Sequence, residues 1–129
     1  MVHPYADLIG LNIDTMESGH SRCSIEVCEK LYNPHRVVHG GVIYSLADTG
    51  MGAALYPTLK EGELCATIEI KINYFRPVTS GMIVCKTKII NRGKTIANME
   101  SVIYCGEELI AKANGHYSIF VPGVNNSIR

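Results

Sequence analysis

Residues 33–50, NPHRVVHGGVIYSLADTG, gather several groups able to do chemistry. Asp48 can serve as a base or a nucleophile. His39 precedes the pair Gly40-Gly41, and Asn33 stands before them in the same stretch. The pattern predicts a helix opening at Gly40-Gly41 and running through VIYSLADTGMGAALY. The first N–H groups of a helix have no internal partners, and the helix dipole adds positive potential there. Glycines at that start allow a ligand close to the backbone, which suits an oxyanion or a polarised carbonyl. Asp48 follows further along the same helix. Its neighbours at helical spacing, Tyr44, Ser45, Met51, Gly52 and Leu55, make no solvated face. A carboxylate partly withdrawn from water becomes a better base near neutrality.

Each of these residues also has a plainer reading. Asp48 could lie on a wetted side of the helix or be tied to a neighbouring strand. His39-Gly40-Gly41 could be a turn with His39 as a cap. Asn33-Pro34 is an ordinary turn signal, and Thr67, at the start of the following strand, is a good β-former. For Asp48 the apolar neighbourhood favours the functional reading. Asn33 and Thr67, taken alone, are better read as structural.

The elements that must position these groups are one helix and a sheet. The helix beginning at Gly40 is apolar on nearly every face, which predicts burial. Gly50 and Gly52 disfavour a helix by roughly 1 kcal/mol each relative to Ala, so something is expected to pack closely against them. In IEIKINYF, residues 68–75, Ile68, Ile70, Ile72 and Tyr74 alternate with Glu69, Lys71, Asn73 and Phe75, the period of a half-buried strand. Strands are also predicted over 82–90, 95–104 and 109–121, joined by short turns into an antiparallel meander. Gly93 is expected to supply a positive φ in the first of those turns. Two earlier strands are predicted near 9–16 and 21–28. The expected fold is α+β: a curved antiparallel sheet of about five or six strands around one long central helix, with an open edge strand through which a second copy could pair.

Composition narrows the function classes. The chain has 129 residues, of which 47% are hydrophobic, as expected for a single packed domain over 1–129. Twelve basic residues balance twelve acidic ones, which argues against nonspecific nucleic-acid binding. No apolar run reaches membrane-spanning length, and the first residues lack the pattern of a signal peptide, so a cytoplasmic location without membrane association is expected. The five cysteines are irregularly spaced with no CxxC and read as reduced, mostly buried thiols. The five histidines form no metal-binding motif, and His116 reads as a packing or surface residue. No G-x-S-x-G is present, so no metal centre or serine triad is expected.

The pattern N-P-x-x-x-x-H-G-G-x-x-x-x-x-x-D, followed by a strand ending in F-R-P and by strand–NRGK–strand–GEELIAKANGHYSIF, resembles the hotdog-fold acyl-CoA thioesterases of the phenylacetate-degradation and thioesterase-superfamily type. The resemblance covers nearly the whole chain. It implies a homodimer paired edge to edge, assembling further to a homotetramer, with sites drawing on both chains. It implies that Asp48 is the general base or nucleophile and that the Gly40 N–H polarises the thioester carbonyl. Asn33 and His39 would support the site, and Thr67 would position water or the carboxylate. Gly41, Ser45 and Arg76 would contact substrate. Arg76, Lys88, Arg92 and Lys94 are candidates for the phosphates of coenzyme A and read equally well as solvated charges at strand ends; coenzyme A enters as part of the substrate, and no separate cofactor is implied. Two other functions fit the fold: a noncatalytic acyl-CoA-binding module, against which Asp48 speaks, and a hydratase/dehydratase, which uses a different motif.

Overall fold

The structure is a computed structural model and describes residues 2–123. Strands β1 (Leu11–Glu17), β2 (His20–Glu26), β3 (Leu64–Tyr74), β4 (Met82–Arg92), β5 (Ile96–Cys105) and β6 (Glu108–Phe120) form one sheet. Their order is β1-β2-β4-β5-β6-β3, and every pairing is antiparallel. Helix α2 (Gly40–Leu55) lies between β2 and β3 in the chain and fills the concave side of the sheet. A short helix α1 (Pro4–Ile9) precedes β1. The sequence reading had placed Ile9 at the start of a strand. Pro4 near the helix start, His3 capping the Ala6 N–H and a left-handed Gly10 at the end explain the helix instead.

The core forms where alternate strand residues meet α2. Ala97, Met99, Ser101 and Ile103 of β5 are fully buried, as are Leu46, Ala47, Met51 and Leu55 of the helix. Small residues on β6 let the helix come close: a Cβ added at Gly115 would lie 2.7 Å from Met51 Sδ. The expected close packing exists at Gly50, where an added Cβ would meet Thr87 Oγ1 at 2.6 Å. Beneath it, Ser21 Oγ donates to the Gly50 carbonyl and Thr87 Oγ1 bonds to Ser101 Oγ, so the polar groups under the helix are satisfied. Gly52 differs. An added Cβ there would come no closer than 3.8 Å to Tyr117, ordinary contact distance, so close packing does not account for this glycine.

Three further sequence expectations are corrected. Gly93 does not have a positive φ; an added Cβ there would strike the Ile96 carbonyl at 2.4 Å, so steric approach is what excludes larger residues. Cys23 and Cys85 are buried as expected, but Cys28 is exposed. Helix α2 is not covered all round either. Tyr44, Ser45, Asp48, Thr49 and Gly52 form a half-buried stripe along it, because the sheet wraps only the opposite side. Asp48 is therefore half-buried rather than enclosed.

Candidate active site

The stripe on α2 faces an open cavity of about 650 Å³, closed on the other side by β1, α1 and the first residues of β3. Asp48 is held in its wall by two side-chain donors. Thr67 Oγ1 donates to Asp48 Oδ1 at 2.8 Å. The Tyr117 hydroxyl aims its single proton at the same oxygen and at the Asp48 backbone carbonyl. Burial first, and the neighbouring Asp48 charge second, push the Tyr117 hydroxyl well above the usual phenol range, so it remains a donor. Among the described residues Oδ2 has no hydrogen-bond partner. The carboxylate thus has one oxygen fixed by the protein and one free to act.

Thr67 reaches Asp48 because β3 carries a bulge. Thr67 pairs with Tyr117 across the β3–β6 ladder, but Glu69 pairs with His116, so one residue is extra between them. A bulge inverts which alternate residues face inward. Beyond it Ile70 and Ile72 point to the core, opposite Gly115 and Ala113. Before it Cys65 and Thr67 line the cavity. Ile68, which unbroken alternation had grouped with the inward set, is 52% exposed.

Of the other predicted residues, Ser45 shares this cavity and the rest lie elsewhere. His39 caps α2: its Nδ1 accepts from the Gly41 N–H at 2.7 Å, so this ring nitrogen carries no proton and the Gly41 N–H is occupied. No acceptor within the described residues meets the Gly40 N–H at the helix start, while Tyr74 donates to the Gly40 carbonyl at 2.7 Å. Gly40 faces a second, separate cleft that also contains Tyr74, Phe75 and Arg76. Arg76 is exposed there and pairs with Glu108 at 3.1 Å. Asn33 Oδ1 accepts from the His35 and Val37 N–H groups, organising the loop that holds Arg36 at a φ of 63°. Ser45 lies in the cavity with Asp48 and Thr67, its hydroxyl donating to the Gly41 carbonyl. Arg92 spends its donors on Thr58, Glu63 and the Gly93 carbonyl, which ties the segment between α2 and β3 to β4.

One chain therefore brings together Asp48, Thr67 and Ser45, and keeps Gly40 and Arg76 apart from them. Gly40 and Asp48 are separated along the helix axis by ~12 Å, at about 1.5 Å per residue. Sequence reasoning missed Tyr117. Its inward parity after Ala113 and Gly115 was legible, but its position beside Asp48 depends on β6 pairing with β3. Among the described residues, no cluster of His, Cys, Asp or Glu is placed to hold a metal ion, and no helix is long and apolar enough to cross a membrane.

A six-stranded antiparallel sheet wrapped on one central helix defines the hotdog fold. The sequence pattern of the thioesterase superfamily matches residues 35–112, and the chain belongs to that family. It is 30% identical over 115 residues to SSO1253 of Saccharolobus solfataricus, covering 88% of this chain and 76% of that one. It is 27% identical over 89 residues to the 1,4-dihydroxy-2-naphthoyl-CoA hydrolase of Listeria monocytogenes, covering 69% and 72% of the two chains. The structure of the conserved protein PA5202 from Pseudomonas aeruginosa superposes with a TM-score of 0.86 at 28% identity, covering 93% of this chain and 96% of that one.

Proposed function

We propose that this protein hydrolyses acyl-CoA thioesters to a carboxylic acid and free coenzyme A, at sites shared between two copies of the chain. The observation that carries the reading is the Asp48 carboxylate, with Oδ1 fixed by Thr67 and Tyr117 and Oδ2 unengaged. Asp48 removes a proton from water as the water attacks the thioester carbonyl, or attacks that carbon itself and is released by water afterwards. The tetrahedral oxyanion needs a donor, and the unengaged Gly40 N–H at the positive end of α2 is suited to it. Collapse breaks the C–S bond, and the thiolate of coenzyme A leaves and takes up a proton. Thiolate is a good enough leaving group to need no serine triad.

The separation of Gly40 from Asp48 within one chain is why a second copy is required. Edge strand β3 supplies a surface for pairing: Leu64, Ile68, Tyr74 and the adjoining Phe75 are all exposed. In the paired arrangement, Gly40 of one protomer faces Asp48 of its partner, and Arg76 beside Gly40 is placed to meet a phosphate of coenzyme A. Asn33 and His39 support this helix start, and further association of dimers gives a tetramer.

The test is thiol release from a panel of acyl-CoAs by wild type and Asp48→Asn. Turnover of at least one thioester should fall about 100-fold or more in the variant while its fold is kept. Tight acyl-CoA binding by both proteins with no turnover by either would replace hydrolysis by a binding function.

A further inference from the structure

We infer that α1 forms the wall limiting what the Asp48 cavity can hold, that Tyr5 sets the limit, and that the occupant is an uncharged apolar acyl group. The identity of the occupant as an acyl group rests on the thioesterase reading; the wall itself rests on geometry.

Tyr5 and His3 line the same cavity as Asp48. The Tyr5 hydroxyl lies 2.8 Å from Ser45 Oγ. Ser45 already donates its proton to the Gly41 carbonyl, so in this contact Tyr5 donates and Ser45 accepts. Ser45 is one helical turn before Asp48. The bond therefore fixes the tyrosine ring across the open stripe of α2, about 5 Å along the axis from the reacting carboxylate.

The other walls are built differently. Gly52 and Ala53 sit on the helix, and Ala66 and Thr67 on the sheet; their positions are set by packed elements and paired strands. Helix α1 is attached lightly. Ala6 is its one buried residue, whereas Tyr5 and Leu8 are exposed. Beyond that methyl group it is held by the partly buried Ile9 at its end, by the Tyr5–Ser45 bond, by Lys30 Nζ on the Leu8 carbonyl and by continuity with β1. A wall attached in this way can change without disturbing the core or the Asp48 cluster.

The chemistry of the lining selects the occupant. Ile13, Met16, Tyr44 and Ala53 make it mainly apolar, and neither Lys nor Arg contributes to it. An acyl group ending in a free carboxylate would meet Asp48 with neither Lys nor Arg in this lining to offset the repulsion. A neutral chain is accommodated until its end reaches the Tyr5 ring.

The experiment compares wild type, Tyr5→Ala and Tyr5→Trp on a ladder of straight-chain acyl-CoAs, with one dicarboxylic acyl-CoA added. It reads kcat/KM by thiol release. In parallel, calorimetry reads binding of the matching acyl-CoA thioethers, which cannot be hydrolysed. Tyr5→Ala should raise the preference for the longest over the shortest chain by about 10-fold, and Tyr5→Trp should lower it. The dicarboxylic acyl-CoA should be the poorest substrate of its length. Opposite shifts from the two substitutions could not arise from a common loss of folding. If no thioester is turned over but the thioether ladder shows the same opposite shifts, the wall stands and the hydrolytic reading falls. Length profiles that superimpose for all three proteins, or no thioether binding by any of them, would overturn the proposal, and efficient turnover of the dicarboxylic acyl-CoA would overturn its account of the occupant.

Discussion

At the scale of single residues, the site depends on how a carboxylate is held. Thr67 and Tyr117 both donate to Asp48 Oδ1, which fixes its rotamer and leaves Oδ2 toward the cavity. Tyr117→Phe removes a donor while keeping the ring. We expect kcat to fall about 10-fold, with KM little changed, because positioning and not substrate contact is lost. Thr67→Val should act in the same direction, and the double variant should fall short of the product of the two, since both act on one oxygen; steady-state kinetics on the four proteins checks this. The helix that carries Asp48, and its start at Gly40, were legible from the sequence. Tyr117 was not, because its partner lies 69 residues away and local pattern carries no signal of a contact between a strand and a distant helix.

At the scale of elements, the two helix glycines separate. Gly50 sits against Thr87, whose hydroxyl is committed to Ser101 and cannot retreat freely. Gly50→Ala should destabilise by about 1–3 kcal/mol through overpacking. Gly52→Ala has room and should stabilise by about 0.5–1 kcal/mol through helix propensity. Urea unfolding midpoints of the two variants distinguish the cases. The sequence reading treated both glycines alike, since composition reports only that a side chain is missing and not what stands opposite. The same restriction hid the β3 bulge. Period-two alternation over 68–75 was genuine beyond Glu69, but one extra residue in a strand has no local signature when both possible registers present apolar residues. The strand–turn–strand units β4–β5–β6 were readable because short turns leave few alternatives, whereas α1 fell within no recognised periodicity.

At the scale of the whole molecule, the sharing of sites can be decided by mixing. Gly40 is the first helical residue, where proline is well tolerated, and His39 before it already has extended ψ. An added Cβ would need Tyr74, 3.2 Å away, to shift slightly. Gly40→Pro should therefore fold, lose the N–H, and lose about 100-fold in kcat. Co-refolding it with Asp48→Asn creates mixed dimers in which one site has both intact residues. Activity should reappear well above that of either variant alone; sites confined to one chain would give no recovery. Stability should also depend on alkaline pH. Burial lifts the Cys23 thiol from 9.0 to about 12 and the Cys85 thiol from 9.0 to about 11. Folded protein then keeps protons that the unfolded chain has released, so this contribution is full below about pH 9 and is lost as pH rises toward 12. Denaturant midpoints should drop over that range, and less steeply in Cys23→Ala.

The β3–β6 pairing has a consequence in time as well as in space. Strand β3 is the first strand after α2, yet among the described residues its one partner in the sheet is β6, the last of the six. During synthesis β3 must wait for β6, and closing so distant a contact is intrinsically slow. Thr67 and Tyr117 face each other across that late pairing. The grip on Asp48 is thus assembled when the sheet is completed, and a chain stalled before β6 would carry the carboxylate without the Tyr117 hydroxyl and with Thr67 on an unpaired strand.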